Sequence, residues 1–363
     1  MTKTPVSAAG GSSRISYVDN MRLFAMLGVI FVHVSAKFAG DLCADGQPLG
    51  LSWHTANLLD AASRFAVPVF LMITGALLLG SDTCLSIRQV FRRRIVRVAV
   101  PLVCWTVVYI LLLALTDPQT DLKSTVFSLF SKPAAVHLWY LYALIALYLL
   151  LPFLRLIVRH ASRRVLLYGL ALWLVFSCLW RAAAGLFDSL SLPDYANPDI
   201  LGGYAGYMLL GWALANLTRI PSRTGCLALY AAGALTTAGA TWLMTARAGE
   251  LNAVFYQYFM PNVVLMAGGV FLLFRRTGES GRADRHVSGW TARIAALSFG
   301  VYLCHMLFVE LLYPQYIQLP IPAVFQMLLL SLTVLIASLL AAWILSRIPG
   351  IRFLFLGERE KRA

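Results

Sequence analysis

Charged residues are scarce in this sequence. Only 13% of the 363 residues are Asp, Glu, Lys or Arg, and only 16 are acidic. Hydrophobic residues make up 60%, and the mean hydropathy is +0.74. Soluble domains carry roughly a quarter charged residues, so this composition excludes a soluble protein. No polar stretch between the apolar runs is longer than about 26 residues, which leaves no room for a catalytic domain outside a membrane.

Cysteine is also sparse, and its spacing carries no pattern. Six cysteines are scattered along the chain, and only Cys43 stands in a polar stretch, so we predict neither a disulfide framework nor a metal site. The net charge of +14 does not come from a basic, aromatic-rich soluble domain, so we do not predict nucleic acid as a partner. Residues 1–19 include no short apolar core followed by a cleavage signal, and we interpret them as a cytoplasmic N-terminal tail.

Long apolar runs dominate what remains. A run of about 20 apolar residues is needed to cross a bilayer as a helix. The sequence therefore predicts an all-α polytopic membrane protein with about ten transmembrane helices, a membrane domain over 20–346 and a basic cytoplasmic C-terminal tail over 347–363. The ten predicted segments are 20–38, 63–80, 95–116, 137–157, 165–186, 200–217, 226–245, 256–274, 294–313 and 322–346.

The basic residues indicate the orientation of these segments. With alternating sides, 24 of the 30 Lys and Arg residues fall on the side that carries both termini. Cytoplasmic loops are enriched in Lys and Arg, so both termini are predicted to be cytoplasmic. The six basic residues on the opposite side are Lys37, Arg64, Lys123, Lys132, Arg181 and Arg247, and most acidic residues, including Asp60, are also assigned there.

A single histidine interrupts the first apolar segment. His33 follows Arg22 by eleven residues, which on a helix is three turns plus about 20°, so both project from one face about 16 Å apart. Asp19 lies one turn before Arg22. An ionisable group deep in a membrane is costly and marks a candidate functional site. The alternative is a histidine that only hydrogen-bonds to a neighbouring helix.

An arginine pair marks the start of the third segment. Arg94 and Arg97 are three residues apart, so they are neighbours on one helix face at the predicted cytoplasmic mouth. Guanidinium groups suit phosphate because each donates two hydrogen bonds to its oxygens. A topogenic cluster that touches anionic lipid is the alternative interpretation.

Further candidates stand in the fourth and ninth segments. His137 opens an aromatic stretch, His137-Leu-Trp-Tyr-Leu-Tyr142, on the predicted outer side. The ninth segment holds His305 at a depth close to that of His33, with Tyr302 one turn earlier in a position to hold its ring. Glu310 follows towards the outer surface as an acid–base partner or a buried hydrogen-bond acceptor.

These motifs, in this order, resemble the acyltransferase-3 family of integral-membrane O-acyltransferases. Asp19…Arg22-(ten residues)-His33 is similar to the family's arginine-x10-histidine signature, and Arg94-Ile-Val-Arg97 to its arginine-x-x-arginine motif. Val67-Pro-Val-Phe-Leu-Met-Ile-Thr-Gly75 resembles the second-helix pattern. The stretch Ser298–His305 resembles the late tyrosine-leucine-x-histidine element. His137–Pro152 looks most like the subgroup that contains the O-acetyltransferase of enterobacterial common antigen.

The resemblance implies an acyl donor, usually acetyl-CoA, and an acceptor hydroxyl on a glycan or lipid-linked sugar at the outer face. It implies a multi-pass protein of the bacterial cytoplasmic (inner) membrane, in contact with membrane lipid, with a homo-oligomer as one expected assembly. Arg94 and Arg97 would hold the donor's phosphates, Arg22 would assist or orient the site, and His33 would be the general base. His305, Tyr302, Glu310, Asp19 and His137 are further candidates, and no metal is expected.

Two other classes of protein fit parts of the pattern. Ten spans, helices broken by proline and histidines at the midplane also describe a proton-coupled transporter or exporter of a saccharide or small metabolite. That class predicts internal repeats, and the two halves of the chain share no convincing similarity. A non-catalytic scaffold for envelope assembly is the third possibility.

Overall fold

The computed structural model describes residues 16–44, 49–81, 86–117, 121–129, 131–187, 203–279 and 289–358. These residues form helices and no strand. The α-helices are α1 Ser16–Ala44, α2 Leu51–Ser63, α3 Ala66–Leu78, α4 Ile87–Val90, α5 Val96–Thr116, α6 Leu122–Ser128, α7 Trp139–His160, α8 Arg163–Trp173, α9 Arg181–Leu186, α10 Gly203–Ala215, α11 Arg223–Ala248, α12 Pro261–Glu279, α13 Gly289–Tyr316, α14 Ala323–Arg347 and α15 Ile351–Leu356. Two π-helical stretches, Phe91–Ile95 and Leu174–Trp180, join α4 to α5 and α8 to α9.

Nine helical segments within these ranges are long and apolar enough to cross a membrane. Large apolar side chains also face outwards: Leu115 is 83% exposed and Phe153 is 65% exposed. The prediction of an all-α polytopic membrane protein is therefore confirmed. The sixth predicted segment, 200–217, corresponds to α10, whose 13 residues fall short of the length needed to count as a tenth span.

The second predicted segment begins twelve residues earlier than expected. Residues Leu51–Leu78 form one candidate span, in which α2 ends at Ser63 and α3 begins at Ala66. Pro68 explains the break, because proline has no N–H and its ring clashes with the carbonyl four residues earlier, which belongs to Arg64. Arg64 falls inside the second predicted segment, 63–80, whereas Asp60, assigned from the sequence to an outer loop, lies within the helical span. That assignment was wrong.

The chain divides into two compact units. Unit 1 comprises residues 1–82, 154–295 and 320–328, and unit 2 comprises 83–153, 296–319 and 329–363. Arg22 and His33 belong to unit 1. Arg94, Arg97, His137 and His305 belong to unit 2.

Within unit 1, α3 and α10 pack backbone to backbone through two glycines. A Cβ at Gly75 would lie 1.9 Å from the carbonyl oxygen of Met208, and one at Gly211 would lie 2.1 Å from that of Met72. No residue other than glycine allows this approach at either position. The short helix α10 is thus held against α3 at two points one helical turn apart.

Within unit 2, the short helix α15 folds against α5. The indole Nε1 of Trp105 donates a hydrogen bond of 3.0 Å to the carbonyl of Phe355, and the two rings meet edge to face at 5.7 Å. Leu356 is buried. The first part of the C-terminal segment therefore forms a wall of this unit.

Candidate functional site

Helix α1 carries Arg22 and His33 on one uninterrupted rod. Asp19 is buried, and its Oδ1 lies 3.4 Å from Nη1 of the half-buried Arg22. His33 is half-buried eleven residues further along the helix. The structure thus pairs Asp19 with Arg22 on α1, and the Asp19 carboxylate partly neutralises the charge of the Arg22 guanidinium.

Unit 1 also contains a charged pair that the sequence did not reveal as a site. Nη2 of Arg64 donates a hydrogen bond of 2.8 Å to Oδ2 of Asp60, and Nε of Arg64 donates to Oδ1 of the same carboxylate. The Arg64 guanidinium lies 4.4 Å from the ring centroid of Tyr256, a cation–π contact. The Asp60 side chain is 0% exposed and that of Arg64 is 15% exposed.

A polar network surrounds this pair and ties three helical segments together. The Tyr256 hydroxyl donates to Oδ1 of Asn57 at 2.7 Å, and Nδ2 of Asn57 donates to the carbonyl of Ala238 at 2.9 Å. Asn57 is on α2, Ala238 is on α11, and Tyr256 is in a 3-10 turn just before α12. The only signal in the sequence was the four-residue spacing of Asp60 and Arg64, which fits an ion pair on a helix.

Unit 2 holds a cavity of about 410 Å³ with a basic rim. Arg93, Arg94 and Arg97 line it, so the predicted pair does face one site and a third arginine joins it. Arg93 and Arg94 stand in the π-helical stretch before α5, a rare geometry that often occurs at functional sites. Three guanidinium groups at one rim suit a ligand with several phosphates.

Much of the rest of the cavity lining is apolar. Leu144 and Tyr148 of α7 and Phe299 of α13 line it, together with Val98 of α5. Ligand pockets of this size commonly combine apolar walls with a few fixed polar groups. The cavity fits a ligand with an anionic head and a less polar arm.

The C-terminal segment closes one side of the cavity. Leu356, Gly357 and Glu358 line it, and Glu358 brings a carboxylate to the arginine rim. Partial burial raises the pKa of Glu358 above its ordinary value, against the opposing effect of Arg352 and Arg97, which lower it. An anionic ligand that bound the three arginines would therefore lie beside the Glu358 carboxylate.

Unit 2 also brings His137 and His305 together, 168 residues apart in sequence. Their ring centroids are 5.0 Å apart, and both residues are buried. Nδ1 of His305 lies 2.7 Å from the carbonyl of Tyr302, and the Tyr302 hydroxyl donates to the carbonyl of His137. Tyr302 therefore contacts the His305 imidazole through its backbone carbonyl, and the two rings also lie 5.8 Å apart.

Tyr109 is a member of this cluster that the sequence did not identify. Its hydroxyl donates to the carbonyl of Leu303 at 2.8 Å and accepts a hydrogen bond of 3.2 Å from the amide of Leu307. An α-helix normally pairs that amide directly with that carbonyl, so the hydroxyl bridges the backbone of α13 where His305 stands. Nε2 of His137 lies 3.3 Å from the same Leu303 carbonyl.

The cavity and the histidine cluster share three helical segments of unit 2. His305 is six residues beyond Phe299 on α13, about 9 Å along the axis, and Tyr109 is twelve residues beyond Arg97 on α5, about 18 Å. Glu310, by contrast, is exposed at the surface of unit 2 and is not a buried acceptor. Among the described residues, no group of three His, Cys, Asp or Glu side chains is placed to hold a metal ion.

A comparison with models of protein families bears on the class of this protein. The model of the acyltransferase-3 family, described as an acyltransferase domain, matches residues 15–347, which is most of the chain. No curated protein and no solved structure matches the chain.

Proposed function

We propose, from the premise that this chain belongs to the acyltransferase-3 family and is a membrane acyltransferase, that it moves an acetyl group from acetyl-CoA to a hydroxyl of an envelope glycan or lipid-linked saccharide. The donor would enter from the cytoplasm, and the acceptor would bind at the outer face of the bacterial inner membrane.

The observation that carries this proposal is the cavity of unit 2. Acyl-CoA combines several phosphates with a long, less polar pantetheine arm that ends in a thioester. Arg93, Arg94 and Arg97 supply donors for the phosphates, and Leu144 and Phe299 supply an apolar wall for the arm. A lipid headgroup would use the arginines but would not need the apolar part of the lining.

His33 is the proposed general base. Its neutral imidazole would take the proton of the acceptor hydroxyl as the oxygen attacks the thioester carbonyl. The new C–O bond forms, the C–S bond breaks, and the proton passes to the departing thiolate, so that free CoA–SH leaves. Arg22, paired with Asp19 on the same helix, would orient the site. A transient acyl-histidine is the second route open to the same residue.

The test is transfer of label by the purified full-length protein. Incubation with radiolabelled acetyl-CoA and envelope glycans is expected to give labelled glycan and free CoA. The variant His33→Ala is expected to reach the membrane in normal amounts and to form no labelled product. A His33→Ala protein with full activity would refute the role of His33, and a wild-type protein that labels no acceptor would refute the function.

The transporter interpretation makes a different prediction for the same preparation. A proton-coupled carrier reconstituted in vesicles would accumulate a saccharide in response to a proton gradient and would leave acetyl-CoA intact. Release of CoA that depends on the acceptor separates the two functions.

A further inference from the structure

The C-terminal segment, residues 348–358, lies outside the part of the chain that the family model matches. That match covers residues 15–347, yet Leu356, Gly357 and Glu358 line the cavity of unit 2. Three of the ten residues in the lining therefore follow the matched domain. The proposed donor site is completed by a segment whose own role the family does not supply.

A short helix carries this part of the site. Helix α15 has six residues, about 9 Å of helix, between Gly350 with φ +77° and Gly357 with φ +65°. Isolated helices shorter than about 12 residues are marginal in water, so α15 depends on its contacts with the rest of unit 2. Local undocking of such an element takes less free energy than unfolding of the whole unit.

Two contacts dock the segment on α5 and α13. The indole of Trp105 on α5 donates to the carbonyl of Phe355, and the two rings meet edge to face. The side chain of Leu356 packs at a glycine of α13, since a Cβ at Gly300 would lie 2.8 Å from Cδ2 of Leu356. Both helices also contribute residues to the cavity lining. The docked segment therefore connects two walls of the cavity.

The docked end of the segment lies beside residues that would bind the donor. Gly357 packs against the backbone of Arg97, which lines the cavity, and Leu356 belongs to the same lining. A ligand in the cavity therefore gains its contacts with Leu356 and Gly357 only while the segment is docked. A ligand that binds one of two states better shifts the equilibrium towards that state. By reciprocity, docking raises the affinity for the ligand by the same factor.

Glu358 acts against this coupling. Arg97 and Arg352 attract the Glu358 carboxylate. A phosphate group on the same basic rim repels it, because like charges at short range raise the free energy of the state that brings them together. One short segment thus carries an apolar contact that favours a bound donor and a charge that favours its departure.

We propose that bound CoA holds the C-terminal segment in place, that the docked segment slows the departure of CoA, and that Glu358 limits this retention. The inference rests on the proposed function for the identity of the ligand, since free CoA is the product that must leave after each acyl transfer. In many enzymes product release, and not chemistry, limits kcat. The docking of residues 351–358 then sets the residence time of both donor and product.

Hydrogen–deuterium exchange of the full-length protein in detergent, with and without CoA, tests the coupling. We expect the amides of residues 351–358 to exchange about fivefold or more slowly at saturating CoA, with α11 of unit 1 as the internal reference. CoA that binds and leaves exchange over 351–358 unchanged would overturn this inference alone. A protein that does not bind CoA would overturn the proposed function as well.

Trp105→Phe loosens the segment without changing the cavity lining, because it removes the indole N–H and keeps an aromatic ring. We expect CoA to dissociate about threefold or more faster than from wild type, measured by stopped-flow displacement of a fluorescent CoA. Trp343→Phe is the matched control in unit 2, since Trp343 is 48% exposed on α14 and does not line the cavity. A Trp105→Phe protein with the wild-type rate of CoA dissociation would overturn the inference.

Two more variants keep the inference falsifiable. If Trp105→Phe does not fold, Phe355→Leu decides the matter by the same measurement, because it removes the ring on the other side of the same contact. Glu358→Gln is expected to slow the dissociation of CoA about threefold, since it removes the repulsion between the carboxylate and the phosphates. Faster dissociation of CoA from Glu358→Gln would overturn the role of Glu358 in release.

Discussion

Gly357 lies directly against the backbone of Arg97. A Cβ at Gly357 would lie 2.1 Å from the Arg97 carbonyl oxygen, and the φ of Gly357 is +65°, a region that favours glycine. This contact fixes the C-terminal segment against the arginine rim of the unit 2 cavity.

Gly357→Ala is expected to displace the C-terminal segment and weaken acetyl-CoA binding about tenfold, which is about 1.4 kcal/mol. The reason is that the added methyl group cannot fit beside the Arg97 carbonyl. Isothermal titration of the purified protein measures the effect. Gly350→Ala is the control, because Gly350 has φ +77° but nothing within 4 Å of its Cβ position. Equal losses in both variants would mean that backbone strain, and not the contact, is responsible.

Glu358→Gln is expected to tighten acetyl-CoA binding about threefold near neutral pH, since it removes a negative charge from a rim that binds phosphates. The pKa of Glu358 is raised, so its carboxylate is neutralised at a higher pH than an ordinary glutamate. Below that pKa both proteins are uncharged at this position, and their affinities should converge. Affinity measured across a pH series tests this. A difference that persists at acidic pH would contradict it.

Arg94→Ala and Arg97→Ala are each expected to weaken acetyl-CoA binding about tenfold or more, because each removes charge-assisted hydrogen bonds to phosphate. Acceptor binding should change far less. Arg88→Ala is the control, since Arg88 is exposed in the same basic stretch but does not line the cavity. Unchanged affinity for acetyl-CoA in both rim variants would exclude a role in phosphate binding.

Tyr109→Phe is expected to destabilise unit 2 by about 1–3 kcal/mol, because the Leu303 carbonyl and the Leu307 amide both lose a buried partner. Thermal unfolding in detergent measures the change. Tyr142→Phe serves as the comparison, since Tyr142 is 43% exposed on α7. If the two variants unfold at the same temperature, the bridging hydroxyl contributes nothing to the stability of α13.

The sequence predicted what depends on local spacing. Apolar length predicted the class of fold, and the three-residue spacing of Arg94 and Arg97 fits their shared place in the lining of one cavity. The start of the second span was missed because Asp60 and Arg64 lower the hydropathy there. Their charges satisfy each other and Tyr256, and that partnership spans about 190 residues of sequence.

The rest of the candidate site depends on contacts between distant segments. Tyr148, Phe299 and Glu358 reach one cavity from three parts of the chain, and nothing in their own neighbourhoods marks them. The bridge made by the Tyr109 hydroxyl depends on how α5 packs against α13. A tyrosine in an apolar segment does not by itself indicate such a bridge. The roles of His33 and Arg22 stay predictions.

The glycine contacts between α3 and α10 bear on how the protein is made. A helix of 13 residues is about 20 Å long, shorter than the hydrocarbon thickness of about 30 Å, so α10 is a poor candidate for independent insertion. Its partner α3 precedes it by more than a hundred residues, so α3 leaves the ribosome first. The helix that α10 packs against is therefore synthesised before α10 itself.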